Sequence, residues 1–327
     1  MNNITQHASI RRRLCATLAA TGFISLGGWA QAAEPINLVV PFPPGGPTDV
    51  VARTVAQQMS HTLGQHLIVA NRAGAGGSIG AAAVAQAAPD GQTLLTGTAS
   101  LTTGHHLYNL NFHPLKDLVP VAMLAKMPVF IWVRGDSPYN TLPDLLEAMK
   151  ASNGQYNYSS SAPTTLAHLG SLRLLDETGV QATHVNYRGS AQATTDFLAG
   201  VFPVYFEVGQ PLAPHYAAGK AKPLAVLSSQ RSTLMPDVPS VTEFGLPAID
   251  AKPFVALMAP AGTPEATLVR LNEHARKALQ SPEVRSRLDS LYFEVDAGGS
   301  PAEVATWLQE QSSMWGEVIA KHGLKVD

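Results

Sequence analysis

Short apolar runs and helical stretches alternate along most of this chain, and this alternation constrains the fold more than any other feature. Runs of four to six residues that are typical of buried strands occur at 36–41, 66–70, 93–96, 129–133, 156–159, 183–187, 203–208, 224–227 and 255–258. The spacing of apolar residues indicates helices at 50–63, 79–88, 142–151, 165–177, 191–199, 265–279 and 301–322. Strands that alternate with helices predict an α/β fold with parallel strands joined by helical crossovers.

The length of the chain predicts its domain organisation. With 327 residues it is about twice as long as a usual domain, so we expect two domains or one large one. No repeat, charge block or low-complexity linker separates two halves. We therefore expect the chain to cross between domains through ordered strands, with the apolar runs 129–133 and 224–227 as candidates.

Composition excludes several classes of protein. Hydrophobic residues make up 45% of the chain and charged residues 14%, which is too apolar for a disordered protein and too balanced for a polytopic membrane protein. The formal net charge of −2, without a stripe of Lys and Arg, argues against a nucleic-acid partner. We expect a soluble, globular and monomeric protein.

The N-terminus has the three parts of a secretory signal peptide. Three arginines at 11–13 precede the apolar run 14–29, and the small-residue motif Ala-Gln-Ala follows at 30–32. An uncleaved anchor is the alternative, but the run is short for a membrane span. Cleavage after residue 32 leaves 19 of the 22 basic residues and all 24 acidic ones, a formal charge of −5, and removes the only cysteine, Cys15. The exported chain can then form no disulfide or Cys-ligated zinc site, which suits a bacterial periplasm.

The most informative loop is PFPPGGPTD at 41–49, between the first predicted strand and the first predicted helix. Its four prolines fix φ, and its two glycines allow positive φ and close approach of a ligand to the backbone. The amide groups of Gly45, Gly46 and Thr48, beside the positive end of a helix, predict a binding site for an anion such as a carboxylate. The alternative is a plain turn that caps the helix, with Asp49 complementing the helix dipole.

A second glycine-rich loop, NRAGAGGSIG at 71–80, also joins a predicted strand to a predicted helix. Ile79 stands where the dinucleotide-binding fingerprint requires its third glycine, so we expect no NAD and no other cofactor. The GGSIG segment matches the nucleophile elbow of α/β-hydrolases, which makes a secreted serine hydrolase that uses Ser78 the alternative function. Against it, the segment precedes most of the predicted strands, and no histidine pattern marks a catalytic base. A second anion-facing turn is the simpler interpretation.

Two turns in the second half follow predicted strands and are rich in polar groups, YSSSAPTT at 158–165 and NYRGS at 186–190. Open α/β sheets bind ligands at the carboxyl ends of their strands. Arg188 could make a bidentate contact with a carboxylate, although a surface arginine at a helix start is equally common. Glu207 ends an apolar strand and could accept a hydrogen bond from an amine or water, although most such acids are simply solvated.

Four histidines invite a functional interpretation. His105, His106 and His113 have no acidic residue at ligand spacing and lie in a segment with the character of a loop, so we expect no metal site. His168 lies on a predicted helix, where a packing role is more common than a functional one.

Several segments, in the same order, resemble one known family. PFPPGGPTDVVAR, NRAGAGGSIGA, APDGQTLL, VNYRG, MPDVPSVTEFGL and APAGTP are similar to motifs of the periplasmic substrate-binding proteins of tripartite tricarboxylate transporters, also called Bug receptors. The resemblance runs from about residue 35 to the C-terminus. It implies a non-enzymatic periplasmic receptor that binds a small organic carboxylate and delivers it to integral-membrane transporter subunits. A receptor that feeds a sensor kinase is the alternative partner arrangement.

The resemblance also implies a two-lobed, type II periplasmic-binding-protein (Venus flytrap) fold, with a doubly wound mixed sheet in each lobe. We expect a signal peptide at 1–32, a first lobe at 33–128 and 227–327, and a second lobe at 129–226, with the ligand in the cleft between them. Together with Glu207, the predicted ligand-binding residues are Phe42, Pro44, Gly45, Gly46, Thr48, Asp49, Ala75, Gly76 and Ser78 in the first lobe, and Ser160, Ser161, Thr164, Thr165, Tyr187, Arg188 and Gly189 in the second.

The sequence departs from the family pattern in the second lobe. The family usually has Gly-x-Gly-Ser three residues before a helical His-Leu pair, whereas this chain has Ala162, Thr164 and Thr165 before His168. We expect the bulkier side chains to narrow the cleft and to replace backbone donors with hydroxyl groups.

Overall fold

The computed structural model describes residues 34–296 and 298–326, so the predicted signal peptide lies outside the described residues. Within that part of the chain, eleven strands form two mixed sheets and ten α-helices pack against them. The strands are β1 (Ile36–Val40), β2 (Leu67–Asn71), β3 (Thr93–Thr98), β4 (Leu118–Lys126), β5 (Val129–Arg134), β6 (Asn157–Ser160), β7 (Thr183–Val185), β8 (Val204–Val208), β9 (Ala221–Val226), β10 (Phe254–Pro260) and β11 (Glu294–Val295). The helices are α1 (Pro47–Leu63), α2 (Ser78–Ala85), α3 (Ser100–Leu107), α4 (Leu142–Ala151), α5 (Leu166–Thr178), α6 (Ser190–Leu198), α7 (Gly209–Ala217), α8 (Glu265–Gln280), α9 (Pro282–Asp289) and α10 (Pro301–Lys321).

The first sheet has the strand order β11-β4-β10-β3-β1-β2. β1 pairs in parallel with β2 and β3, and β10 pairs antiparallel with β3 and β4. Helices cover both faces, because Leu38 packs with Val51 of α1 on one side and Val39 packs with Val84 of α2 on the other. Burial on both faces explains why residues 38–40 of β1 are all apolar and buried, while the exposed Asn37 lies near the start of the strand.

The second sheet has the strand order β7-β6-β8-β5-β9. β6 pairs in parallel with β7 and β8, and β5 pairs antiparallel with β8 and β9. Ile131 packs with Leu169 of α5 on one face, and Trp132 packs with Phe197 of α6 on the other. Each sheet is thus a mixed sheet between two helical layers, as predicted for each lobe.

The chain passes between the sheets through two short segments, 127–128 and 252–253, which we call the connecting segments. They lie side by side: the Met127 amide donates to the Pro253 carbonyl at 2.7 Å, and the Val129 amide donates to the Ala251 carbonyl at 3.2 Å. The runs predicted as crossings are β5 and β9, which both belong to the second sheet. One crossing lies directly before β5, whereas the other, at 252–253, lies well beyond the end of β9 at Val226. The division into lobes at residues 129 and 226 stays a prediction.

The C-terminal helix α10 makes a further link between the two sheets. Its 21 residues span about 30 Å at 1.5 Å per residue. Val304 and Leu308 pack on the first sheet, whereas Trp315 and Ile319 lie in the core cluster of the second. Burying each such side chain contributes about 1.5–3 kcal/mol, so this helix holds the two halves together along one side.

Candidate functional site

The predicted binding turns lie at the edges of the two sheets that border the connecting segments. In the first sheet, Thr98 at the end of β3 pairs with Val255 at the start of β10, and β1 and β2 run parallel to β3 and end on the same side. In the second sheet, Val208 at the end of β8 pairs with Val129, the first residue of β5. The carboxyl ends of the parallel strands in both sheets therefore point toward the crossing between them.

The loop 42–49 leads directly into α1. Gly46 is the N-cap residue without a side-chain cap, and Pro47 occupies the first helical position, where a missing N–H costs nothing. Gly45 has φ +83°, a conformation that favours glycine, and its amide donates to Asp49 Oδ2 at 2.9 Å. The prediction that the Gly45 amide is free for a ligand was therefore wrong. The amides of Gly46, Thr48 and Asp49 donate to no oxygen of the described chain.

Asp49 holds this loop in place. Its carboxylate is 2% exposed and accepts hydrogen bonds from the Gly45 amide, from Arg53 Nε at 2.9 Å and from Asn71 Nδ2 at 2.8 Å. Burial alone would raise the pKa of Asp49, but these hydrogen bonds and the Arg53 charge outweigh it and lower the pKa to about 2. Since its oxygens are occupied by protein donors, Asp49 supports the loop, and only its backbone amide remains for a ligand.

The second glycine-rich loop packs directly on the first. A Cβ at Gly80 would lie 2.8 Å from the Arg72 carbonyl oxygen and 2.9 Å from Pro41 Cβ, and a Cβ at Gly77 would lie 3.2 Å from the Phe42 ring. These two glycines therefore allow α2 to approach the end of β1. Asn71 Nδ2 also donates to the Phe42 carbonyl at 3.0 Å, so the two loops form one unit.

Ala75, Gly76 and Ser78 face away from that contact. Ala75 and Ser78 line a cavity of about 640 Å³ together with His106, Tyr108 and Lys325, among others. A Cβ at Gly76 would lie 3.5 Å from the Tyr108 hydroxyl. Their loop lies beside the 42–49 loop, as the sequence predicted, and these three residues also lie near Tyr108 in the segment after α3.

The geometry around Ser78 does not match a hydrolase. The Ser78 hydroxyl donates to the Ala75 carbonyl at 2.8 Å, within its own turn. His106 lines the same cavity, but its Nε2 lies 3.0 Å from the Ser312 carbonyl and 3.2 Å from the Ser312 hydroxyl. A nucleophilic serine needs a base within hydrogen-bond reach, and no hydrogen bond joins Ser78 to a histidine of the described residues.

In the second sheet, Glu207 joins the two predicted turns. It is 3% exposed, and it accepts hydrogen bonds from the hydroxyls of Ser190 and Tyr205 at 2.9 Å each, from the Val208 amide at 2.9 Å, and from Ser161. Burial raises the pKa of Glu207 despite these donors. The predicted acceptor for a ligand is therefore already fully engaged within the protein.

The two turns of the second sheet are also bonded to each other. The Gly189 amide donates to the Ser161 carbonyl at 2.8 Å, and Gly189 has φ +141° with open space where a Cβ would project. The Tyr187 hydroxyl donates to Asp196 at 2.8 Å, and burial together with that carboxylate raises the pKa of Tyr187 to about 12. Arg188 is exposed and forms no ion pair with a described residue, so its guanidinium stays free for a ligand.

The hydroxyl groups of the 160–165 turn point mainly at the protein. Ser160 is fully buried and donates to the Ala162 carbonyl at 3.2 Å. Thr165 caps α5, since its hydroxyl donates to Ala162 and accepts from the His168 amide. Thr164 has φ +65°, which is unusual for a β-branched residue. The two remaining hydroxyl groups of the turn are also engaged, since Ser161 donates to Glu207 and the Thr164 hydroxyl donates to the Pro163 carbonyl at 2.6 Å.

Sequence reasoning missed the residues that support these turns. Arg53 and Asn71 hold Asp49, and Ser190 and Tyr205 hold Glu207. The spacing of Asp49 and Arg53, four residues apart on a helix, was a readable signal for an ion pair. Asn71 carried no such signal, because its contact depends on the pairing of β1 with β2.

The histidines at 105, 106 and 113 form a stacked group whose first two members lie on α3, where the sequence predicted a loop. The ring centroid of His105 lies 4.0 Å from that of His106 and 4.7 Å from that of His113. Burial and the neighbouring positive charges lower the pKa of His105 to about 4. Within residues 34–296 and 298–326, no three His, Cys, Asp or Glu side chains are arranged to hold a metal ion, and no helix is long and apolar enough to cross a bilayer.

Comparisons with known proteins agree with this architecture. The chain matches a model described as the tripartite tricarboxylate transporter family receptor over residues 51–324. It is 36% identical over 297 residues to protein BugT of Bordetella pertussis (strain Tohama I), an alignment that covers 90% of this chain and 91% of that protein. The solved structure of the periplasmic binding protein BugD is 31% identical, with a TM-score of 0.72 over 90% of this chain and 99% of that one. MatC from Rhodopseudomonas palustris, solved with bound malate, is 33% identical, with a TM-score of 0.71 over 88% and 99%.

These matches confirm the resemblance and the fold expected from the sequence motifs. The two-lobed α/β architecture is that of the solved periplasmic binding proteins, and the family is a class of solute-binding receptors without catalytic activity. The serine hydrolase alternative is thereby set aside. By its family match, its relatives and its fold, this chain belongs to the receptor family of the tripartite tricarboxylate transporters.

Proposed function

We propose that this protein is a periplasmic receptor that binds a small organic carboxylate in a cleft between its lobes and presents it to the membrane subunits of a tripartite tricarboxylate transporter. One observation carries the proposal. The amides of Gly46, Thr48 and Asp49, at the start of the 17-residue helix α1, have no acceptor within the described chain. A carboxylate that accepts from them would also gain from the positive end of the helix dipole.

The rigidity of the loop supports this function. Four prolines restrict φ between residues 41 and 47, and the Asp49 contacts fix the loop to α1 and β2. Donors that are already oriented require no rearrangement when an anion arrives, and hydrogen bonds to a charged acceptor are about twice as strong as neutral ones. Malate bound to the relative MatC is consistent with a carboxylate ligand.

The second lobe supplies the closing half of the proposed site. Arg188 and the turns at 160–165 and 187–189 lie at the edge of the second sheet that borders the connecting segments. We take the lobes as 33–128 with 227–327, and 129–226. A ligand that contacts both lobes favours the closed form by its additional contacts there, and the closed monomer is the form that the transporter engages.

A thermal-shift and calorimetric screen tests the proposal. Purified protein is titrated with acetate, malate, adipate and citrate, and we expect at least one acid to raise Tm by about 5 °C at a 100-fold excess over Kd. Gly46 has φ −74°, which proline also adopts, so Gly46→Pro removes one amide donor at a position whose own φ suits proline. We expect Gly46→Pro to weaken binding about 10-fold or more, since it removes a hydrogen bond to a charged group.

Gly46→Ala is the matched control, because it keeps the amide and its Cβ would come no closer than 3.7 Å to another atom. It should bind as the wild type does. If no acid stabilises the wild type, or if both variants bind equally well, the amide site is not the ligand site. Uptake of the radiolabelled acid by cells that lack the receptor, with and without the gene supplied in trans, tests delivery to the transporter.

A further inference from the structure

Thr164 lies in a backbone conformation that its residue type disfavours. Its φ of +65° places it in the left-handed region, where a β-branched side chain crowds the backbone. Such a residue persists only where the surroundings hold it, and strained residues of this kind cluster at binding sites. Thr164 belongs to the turn that the proposed function places against the ligand, so whatever holds it also fixes that turn.

His168 supplies the restraint. It lies in the first turn of α5, and its Nδ1 accepts a hydrogen bond from the Thr164 amide at 3.2 Å. The Thr164 hydroxyl donates to the Pro163 carbonyl at 2.6 Å, which is a contact within the turn itself. The bond to His168 is thus the polar link from the strained residue to an element outside the turn.

The His168 ring is itself held firmly. It is 6% exposed and stacks on His184, with ring centroids 4.2 Å apart. His184 Nε2 lies 2.9 Å from the Ser160 hydroxyl, and its Nδ1 lies 2.6 Å from Asn186 Oδ1. The pair of histidines therefore joins the ends of β6 and β7 to the start of α5, directly beneath the turn.

The hydrogen bond also fixes the protonation state of His168. Because Nδ1 accepts from an amide, the ring proton must be on Nε2 and the ring must be neutral. Burial, with the nearby charges of His184 and His322, lowers the pKa of His168 to about 3, so the neutral form persists at physiological pH.

We propose that His168 is a positioning residue for ligand binding, which holds Thr164 in its left-handed conformation and so sets the shape of the second-lobe turn that meets the ligand. The inference rests on the proposed function. It assigns a role in recognition to a buried histidine that makes no contact with the ligand itself.

A double-mutant cycle tests the inference. Calorimetric Kd values are measured with malate, or with whichever of acetate, adipate and citrate gives the largest thermal shift. His168→Leu should weaken binding about 5- to 30-fold, because the left-handed conformation loses its restraint. Glycine adopts positive φ without strain, so in a Thr164→Gly background the same substitution should change Kd less than about twofold.

Two conservative variants of His168 test whether an acceptor at the Nδ1 position restores binding. They also allow the inference to be tested if His168→Leu does not fold. His168→Asn places an amide oxygen near the Nδ1 position and should retain most of the affinity, whereas His168→Gln displaces the acceptor by one carbon and should not. Equal losses in the wild-type and Thr164→Gly backgrounds, or equal affinities of the Asn and Gln variants, would overturn the positioning role. If the wild type binds none of the acids, the proposed function itself fails.

Discussion

Asp49 in the first lobe and Glu207 in the second are both buried acids beneath the predicted binding turns. Asp49 accepts from the Arg53 guanidinium, and the pKa of its carboxyl group is lowered to about 2. Glu207 accepts only from hydroxyl groups and an amide, with no lysine or arginine of the described residues paired to it, and burial raises its pKa. The two lobes therefore hold their turns by different chemistry, a charged anchor in one and a network of hydroxyl groups in the other.

The opposite pKa shifts give opposite dependences of stability on pH. The lowered pKa of Asp49 contributes about 2 kcal/mol above pH 3.8, and this stability is lost as the pH falls toward about 2. The raised pKa of Glu207 means that the folded protein holds a proton that the unfolded chain has released, so stability falls as the pH rises above 4.5. We therefore expect Asp49 to stabilise the first lobe more at neutral and alkaline pH than in acid. We expect Glu207 to lower the stability of the second lobe more at neutral and alkaline pH than in acid.

Removal of the Asp49 carboxylate should have the largest effect. Asp49→Ala leaves the Gly45 amide without its acceptor and removes one of the two acceptors of both Asn71 and Arg53, which we expect to cost about 3 kcal/mol of unfolding free energy. Because the loop then loses its fixed shape, carboxylate binding should be lost as well. Urea denaturation and calorimetry measure the two effects.

Asp136→Ala is the control for that experiment, since Asp136 forms an ion pair with Arg134 but its side chain is 68% exposed. Its loss should cost less than about 1 kcal/mol. If Asp49→Ala costs no more than Asp136→Ala, the charged anchor of the first lobe is not what orders the loop.

The next largest loss of stability should come from a substitution in the close packing between α2 and β1 of the first lobe. Gly80→Ala places a Cβ 2.8 Å from the Arg72 carbonyl oxygen and 2.9 Å from Pro41 Cβ, so α2 must move away from β1. We expect a loss of about 2 kcal/mol, measured by urea denaturation. Gly104→Ala in α3 is the matched helical control, because its Cβ would meet only Leu110 at 3.6 Å. That change should stabilise the protein slightly, since alanine is the better helix former.

The hydroxyl network of the second lobe should respond mainly through pH. Glu207→Gln keeps an acceptor and adds a donor, and Ser190 and Tyr205 can rotate their hydroxyl groups to suit it. We expect unfolding free energies within about 1 kcal/mol of the wild type at pH 7. Above pH 4.5, the decline in stability that the wild type owes to Glu207 should disappear. An unchanged slope in the variant would mean that Glu207 ionises normally in the folded protein.

The sequence predicted the architecture because strands buried on both faces are rich in consecutive apolar residues, as residues 38–40 of β1 and 129–133 of β5 are. It missed α3, in which Thr102, Thr103 and Gly104 all have low helix propensity, and α7, which contains Pro214. Burial of Leu101 and Leu107 stabilises α3 in spite of its propensity. Tertiary packing decided these elements, and it is not visible in a local pattern.

The contacts of Asp49 and Glu207 also depend on tertiary packing that a local sequence pattern does not show. The position of the 42–49 loop between a strand and a helix followed from its prolines and glycines. That Asp49 would turn inward could not be predicted, because Asn71 is 22 residues away and comes near only through strand pairing. Glu207 was taken for a solvated or ligand-facing acid, since the hydroxyl groups that bury it come from β8 and the start of α6.

The smallest effect should come from Ser78, whose hydroxyl makes one local hydrogen bond to Ala75. Ser78→Ala should change the unfolding free energy by less than about 0.5 kcal/mol and leave carboxylate binding intact, because the anchor of the first lobe is Asp49 and not this turn. A fluorophosphonate probe should label neither protein, since no histidine of the described residues is hydrogen-bonded to the Ser78 hydroxyl. If Ser78→Ala weakened binding as strongly as Gly46→Pro, the binding site of the first lobe would extend to the cavity beside Tyr108. Asp49 would then not be the only residue that anchors the binding loops of the first lobe.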